Sequence, residues 1–281
     1  GAQVGFDELG LARDGKLPRP GDGAIPKWDS GQAMWDMSVS PPDSSQPADS
    51  AQPLPPGEIK VAAIQYGPSS YPSVSGCNDT NCGLIHFIKE AAQNGATYIV
   101  TPEGVPDQGQ YAELDPPVGA TPASDPQWGS STVIGTWANL ADTLNVTLVF
   151  NVITQVGSGS SALLYNSNVV VDPSGKVIAV HHKFQLYGEQ GITPGTSCCD
   201  TFYTPAGKAG MLICADVQCV IYLVHGVSQS SCSSSGKQLL LAYVASQPQI
   251  TFFSSFWMAT GSTNPYWKAT TMMSDFACLL Y

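Results

Sequence analysis

From Ile59 onward the chain alternates short apolar runs with helical patterns, and no other feature restricts its fold so tightly. IKVAAIQ (59–65), TYIVTPE (97–103), VTLVFNVIT (146–154), AGMLICADV (209–217) and ITFFSSFWM (250–258) read as buried strands. ALLYNSNVVVDPSGKVIAVHHK (162–183) reads as two more, joined by a tight Asp-Pro-Ser-Gly turn. Leu84, Phe87, Ile88 and Ala91 recur at helical spacing, and Asn94-Gly95 supplies a stop. Thr132 to Leu144 reads as a second helix. Strands alternating with helices imply an α/β chain, and doubly apolar strands fit a layered sheet core covered by helices. Residues 1–57 differ in texture: SVSPPDSSQPADSAQPLPPGE is dense in proline, which removes amide donors and fixes φ. An irregular arm over 1–57 is therefore expected before a domain over 58–281. Trp28 and Trp35 leave two readings of the arm open, a docked segment and a tethered disordered tail.

Three of the apolar runs end in a reactive side chain. TYIVTPEG delivers Glu103, VIAVHHKFQLYGEQ delivers Lys183 with Glu189 six residues later, and GMLICADV delivers Cys214. Strand ends are rigid and set side chains in the crevice above a sheet. A carboxylate there can take the thiol proton, and a neighbouring ammonium can stabilise the thiolate or a developing oxyanion. Taken singly, each has a plainer reading. Cys214 can be a small core residue, Glu103 a turn cap, and Lys183 a solvated strand end.

Charge and cysteine usage narrow the partners and the compartment. The formal net charge is −11, with only 12% charged residues. Such a chain lacks the clustered positive charge that nucleic acid and anionic membranes reward. No apolar run approaches the ~20 residues of a membrane span. The 8 cysteines include Cys77 and Cys82 in the turn-like SGCNDTNCG, a short-loop disulfide candidate, and Cys198 and Cys199 as further candidates. Cys219 can pair with Cys232 or remain a free thiol. Asn78-Asp79-Thr80 and Asn145-Val146-Thr147 are glycosylation sequons. Together these favour an oxidising compartment, and hence a secreted chain whose signal peptide has been removed. HExxH, G-x-S-x-G, P-loop and GxGxxG patterns are absent, and His86, His181, His182 and His225 lack metal-ligand spacing. No metal is expected.

GATYIVTPEG (95–104), YNSNVVVDPSGKVIAVHHKFQLYGEQ (165–190), KAGMLICADV (208–217) and ITFFSSFWM (250–258) together resemble the Glu, Lys and Cys motifs of the nitrilase, or carbon–nitrogen hydrolase, superfamily, in the family's order. Within it they look most like the secreted vanin and biotinidase branch. The resemblance runs from about Ile59 to Tyr281. It implies a four-layer α-β-β-α sandwich and hydrolysis through a thioester or thioimidate, without a cofactor. Carried over residue by residue, it makes Glu103 the general base and Cys214 the nucleophile. Lys183 and the Ala215 amide would hold the oxyanion, and Glu189 would be the second glutamate. Trp257 would line the substrate pocket or pack in the core. Asp216 is a candidate for orienting nearby amides, with a structural role weighed above it. The chain departs from the branch in ADVQCVIYLVHG, where that branch is more aromatic. Family members continue with more strands beyond the point matching KATTMMSDFACLLY, so a second chain supplying the remainder is expected, alongside homo-oligomerisation. The function implied is a secreted amidase acting on a small linear amide. A nitrilase or general aliphatic amidase, and a structural filament protein on the same scaffold, are the alternatives. An intact Glu103, Lys183 and Cys214 set argues against the last.

Overall fold

A computed structural model of the chain describes residues 57–64, 77, 80–104, 112–129, 132–198, 200–219 and 232–255. The expected arm over 1–57 (Gly57 apart), Asn78, Cys199, Trp257 and the segment after Ser255 lie outside these residues.

Two sheets carry the fold. The larger has strands β1 (Val61–Ala63), β2 (Tyr98–Val100), β3 (Glu113–Leu114), β4 (Thr147–Val156), β5 (Leu163–Val171) and β6 (Val177–His182). Its order is β1-β2-β4-β5-β6, with β3 paired to β4 off that path. β1, β2 and β4 run parallel, and β4, β5 and β6 are antiparallel. The smaller sheet is β7 (Thr201–Thr204), β8 (Gly207–Ile213) and β9 (Ile250–Ser254), with β8 and β9 parallel. The described helices are α1 (Thr80–Gln93), α2 (Val133–Leu144) and α3 (Ser234–Ala245), with short 3-10 turns at Gly159–Ser161 and Cys214–Val217.

The period-2 alternation of each strand assigns the layers. On β4, Leu148, Phe150 and Val152 join a core with Leu84 and Ile88 of α1 and Ile134, Trp137 and Ala141 of α2. Val149, one residue out of phase, joins Val100, Val170 and Ala179 against Phe202, Ala209, Met211 and Phe252 of the smaller sheet. Leu212 of β8 faces the other way, onto Leu240 and Tyr243 of α3. Helices, sheet, sheet and helix therefore stack as the expected α-β-β-α sandwich.

Local chemistry sets the boundaries. Thr132 caps α2 by accepting from the Gly135 amide at 3.0 Å, and the Glu113 carboxylate accepts from the amides of Val133 and Ile134. A carboxylate at a helix N-terminus also meets the positive end of the helix dipole. Asn145 closes α2 with φ 54°, in the left-handed region. The Asp172 side chain accepts from the amides of Ser174 and Lys176 at 2.8 and 3.1 Å, which builds the expected turn between β5 and β6. α1 begins at Thr80 rather than Leu84, one turn before its apolar stripe.

Gly210 fixes the seating of α3. A Cβ there would stand 2.8 Å from the Tyr243 ring carbons, which lie flat on β8 while the Tyr243 hydroxyl bonds Thr251 of β9 at 2.9 Å. Gly210→Ala should therefore lower stability by about 1–3 kcal/mol through overpacking. Thermal unfolding of wild type and variant checks this, and an unchanged midpoint would mean α3 can shift freely on the sheet.

Candidate active site

The expected triad residues converge at one end of the space between the sheets. Glu103 follows β2 and is 6% exposed, and Lys183 follows β6 and is 2% exposed. Lys183 continues the inter-sheet phase of Ala179, whereas Glu103 lies three residues past Val100 and reaches Lys183 from the turn that follows β2. The Lys183 ammonium donates to Glu103 Oε1 at 2.7 Å and to Glu189 Oε1. Asn166 Nδ2 donates to the same two oxygens, at 2.8 Å to Glu103 and 3.3 Å to Glu189. The second Glu189 oxygen accepts from the Tyr187 amide at 2.6 Å. Burial alone would raise the pKa of Glu189, but the ammonium outweighs it and the carboxyl is held below its ordinary range. For Lys183, burial pulls the pKa down and is overridden by Glu103, Cys214 and Glu189, so the ammonium keeps its proton.

Cys214 carries a free thiol that hydrogen-bonds the Glu103 side chain. The run 209–217 is not a strand throughout. β8 ends at Ile213, and Cys214–Val217 turns into a short 3-10 helix. Cys214 has φ 41°, a left-handed conformation uncommon for a side chain with a Cβ. The cause is Asp216. Its Oδ2 accepts from the Ile213 amide at 2.9 Å, which folds the chain back on itself. Its Oδ1 accepts from the amides of Phe184 and Gln185, both at 2.9 Å. The structural role weighed for Asp216 is thus its observed one, and it includes orienting three amides.

The neighbouring ammonium favours the Cys214 thiolate in direction, as expected, but it is not the dominant influence on the thiol. Burial, and then the Glu103 charge, push the thiol up to about 12, and the opposing pull of Lys183 does not cancel them. Burial is the largest cause, and the one opposing ammonium is also paired with Glu103 and Glu189. A thiol whose pKa is raised, beside the Glu103 carboxyl, is the arrangement in which a general base is useful.

Sequence reasoning missed Asn151 and Asn166. Asn151 is fully buried on β4, and its amide donates to Asn166 Oδ1 at 2.7 Å, Ser167 O at 3.1 Å and Asn168 Oδ1 at 3.1 Å. Its oxygen accepts from the Gly104 amide at 2.7 Å, fixing the residue after Glu103. The available signal was an Asn inside each apolar run, VTLVFNVIT and YNSNVVV, since buried amides require partners. His181 and His182 face opposite sides, as successive residues of a strand do. His181 is buried between Asp216 at 3.0 Å and Asp200 at 3.3 Å, and His182 stacks on Tyr165 and meets Asp115 at 3.1 Å. Cys77 pairs with Cys82 and Cys219 with Cys232, and Cys198 is also disulfide-bonded. Among the described residues no group of His, Cys, Asp and Glu is arranged to hold a metal ion, and no helix is long and apolar enough to cross a membrane.

A thiol, a carboxyl and an ammonium thus meet in one buried cluster, and comparison with known proteins gives the family. The carbon-nitrogen hydrolase family model matches residues 60–225, and the chain belongs to that family. Over 150 residues it is 30% identical to human pantetheine hydrolase VNN2, a stretch that is 46% of this chain and 29% of that protein. The match therefore spans less than a third of that relative's length. Among solved structures it is similar to Saccharomyces cerevisiae Nit3, a nitrilase-superfamily member, at 21% identity and TM-score 0.49, over 72% of this chain and 65% of that one. It is also similar to an amidase from Nesterenkonia sp. AN1, seen with an acetamide moiety added at its active site cysteine. That likeness has 16% identity and TM-score 0.46, over 73% and 68% of the two chains.

Two measurements follow from these charges. Because the thiol is raised, its alkylation by iodoacetamide should climb about tenfold per pH unit through the neutral and mildly alkaline range. A plateau below about pH 8 would mean a thiolate at rest. His181 supplies the second. Burial lowers its pKa, but Asp200 and Asp216 raise it further, from 6.5 to about 9. A folded-state pKa above the unfolded one gives stability that is fully present below pH 6.5 and is lost as pH rises through about 9. His181→Gln should flatten the fall in unfolding midpoint across that window, and an equal fall in both proteins would contradict the assignment.

Proposed function

We propose that the chain is a secreted amidase that hydrolyses a linear, non-peptide C–N bond through an acyl-enzyme on Cys214. The observation that carries this reading is the thiol–Glu103–Lys183 cluster, buried between the sheets and held at every corner by hydrogen bonds. Glu103 takes the thiol proton as the sulfur attacks the carbonyl carbon. Negative charge then builds on the carbonyl oxygen. Lys183 has three N–H groups, two of them on carboxylates, so the third can meet that oxygen together with the Ala215 amide. Glu103 returns its proton to the leaving nitrogen and the C–N bond breaks, leaving a thioester. A water molecule that gives its proton to Glu103 cleaves the thioester, releasing acid and free thiol. Glu189 accepts from Lys183 beside Glu103 and acts as a positioning residue.

The likeness to a pantetheine hydrolase supports a secondary amide of pantetheine type as the substrate class. The Cys77–Cys82 and Cys219–Cys232 disulfides support an oxidising, extracellular setting, and exposed Asn145 suits a glycan.

The full chain should release amine from at least one of a panel containing pantetheine, a biotinyl amide, a simple aliphatic amide and a nitrile. Cys214→Ala should abolish turnover, by at least about a thousandfold. Glu103→Gln should reduce it by about 10²–10⁴. Intact-mass measurement should show an acyl adduct on Cys214 during turnover. Full activity in Cys214→Ala would end this reading, and a preference for the nitrile would reassign the substrate class.

A further inference from the structure

β9 lies parallel to β8 with Ser254 opposite Ile213, so the residues that follow, Ser255 and Cys214, leave the paired strands side by side. The end of β9 is not free to drift. Ser254 Oγ donates to the Thr101 carbonyl at 2.9 Å, tying it to the segment that leads into Glu103. Ser255 Oγ is buried and makes no hydrogen bond of good geometry in the resting structure, although it lies within interaction range of the Cys214 sulfur. A buried hydroxyl without a partner costs free energy, so its retention beside a reactive sulfur calls for a state in which it is matched. A neutral thiol is a weak acceptor and a thiolate is a strong one. The other donor at hand, Lys183, already serves Glu103 and Glu189.

We propose that the Ser255 hydroxyl donates a hydrogen bond to the Cys214 sulfur as the thiol gives up its proton, making Ser255 a further catalytic residue of this site. The inference rests on the reading of Cys214 as nucleophile. In the step, the S–H bond breaks and its proton passes to Glu103. The sulfur electron pair is left to attack the carbonyl carbon, and the Ser255 O–H bond stays intact throughout. The electrostatics agree in direction: Ser255 favours the thiolate, opposing burial and the Glu103 charge.

The test is the pH profile of Cys214 alkylation by iodoacetamide in the folded full chain, followed by mass spectrometry of the Cys214 peptide. It needs no substrate. Ser255→Ala should slow labelling about tenfold at fixed pH and displace the profile to higher pH, as expected for loss of a hydrogen bond to a charged group. Ser255→Thr should restore the profile. Turnover of an accepted amide should lose kcat in Ser255→Ala with KM held. Ser255→Gly removes the same hydroxyl and serves if the alanine variant does not fold. Wild-type labelling in a folded variant lacking the hydroxyl would overturn the proposal, as would a raised KM with unchanged labelling. Neither result touches the amidase reading, which falls only with activity in Cys214→Ala.

Discussion

The Asp216 carboxylate is the point on which the site depends. Its two oxygens accept from the amides of Ile213, Phe184 and Gln185 and from the His181 ring. Ile213 ends a strand of the smaller sheet, and Phe184 and Gln185 follow a strand of the larger one. One buried anion therefore locks the turn that presents Cys214 to the turn that presents Lys183. Charge-assisted bonds of this kind are roughly twice as strong as neutral ones. Loss of the carboxylate would leave three amide donors unmatched and the buried imidazolium with Asp200 alone, at a cost of about 3–5 kcal/mol. His181 supplies the opposite charge that makes the anion tolerable in a site with no solvent access.

The charges beside Asp216 follow a related logic. Glu103 and Glu189 are two anions around one cation, and adding a thiolate would leave a third anion without a matching charge. Burial and then this crowding of negative charge raise the thiol pKa, and the proposed reaction accordingly gives Glu103 the part of base. In the proposed reaction the negative charge leaves Glu103 for the carbonyl oxygen while Lys183 stays in place. The total charge is conserved and moves only within reach of the same ammonium. Little solvent reorganisation is then required, which is where a preorganised buried site gains over water.

Much of this was legible in the sequence for a specific reason. Glu103, Lys183 and Cys214 each end an apolar run, so their placement at strand ends followed from local patterning. A sheet core covered by helices also followed from strands apolar on both faces, whereas the α-β-β-α order came from the family resemblance. What escaped depends on contacts between distant segments. ICADV has strand-like content, and only the bond from Asp216 back to Ile213 turns it at Cys214. β7 is four residues long and exists through pairing with β8. α3 lacks a clean apolar stripe, since its seating depends on Gly210 making room for Tyr243. Asn151 and Asn166 looked like interruptions of strands until their partners were known.

The conformation of Cys214 carries a cost, and the surroundings show how it is sustained. A non-glycine residue in the left-handed region is strained by about 1–3 kcal/mol and persists only where its neighbours over-determine it. Asp216 holds the turn from within. Cys219, five residues after the nucleophile, is joined to Cys232 at the foot of α3. The next residue, Ser233, caps α3 and donates to Gln185 Oε1 through its amide at 3.1 Å and its hydroxyl at 2.9 Å. Gln185 in turn donates its amide to Asp216, closing a ring through the disulfide, the helix cap and the lysine loop back to the nucleophile turn. The strain at Cys214 therefore cannot relax by moving one segment. It would require the cap of α3, the lysine loop and the anion to move together, which keeps the sulfur aimed at Glu103.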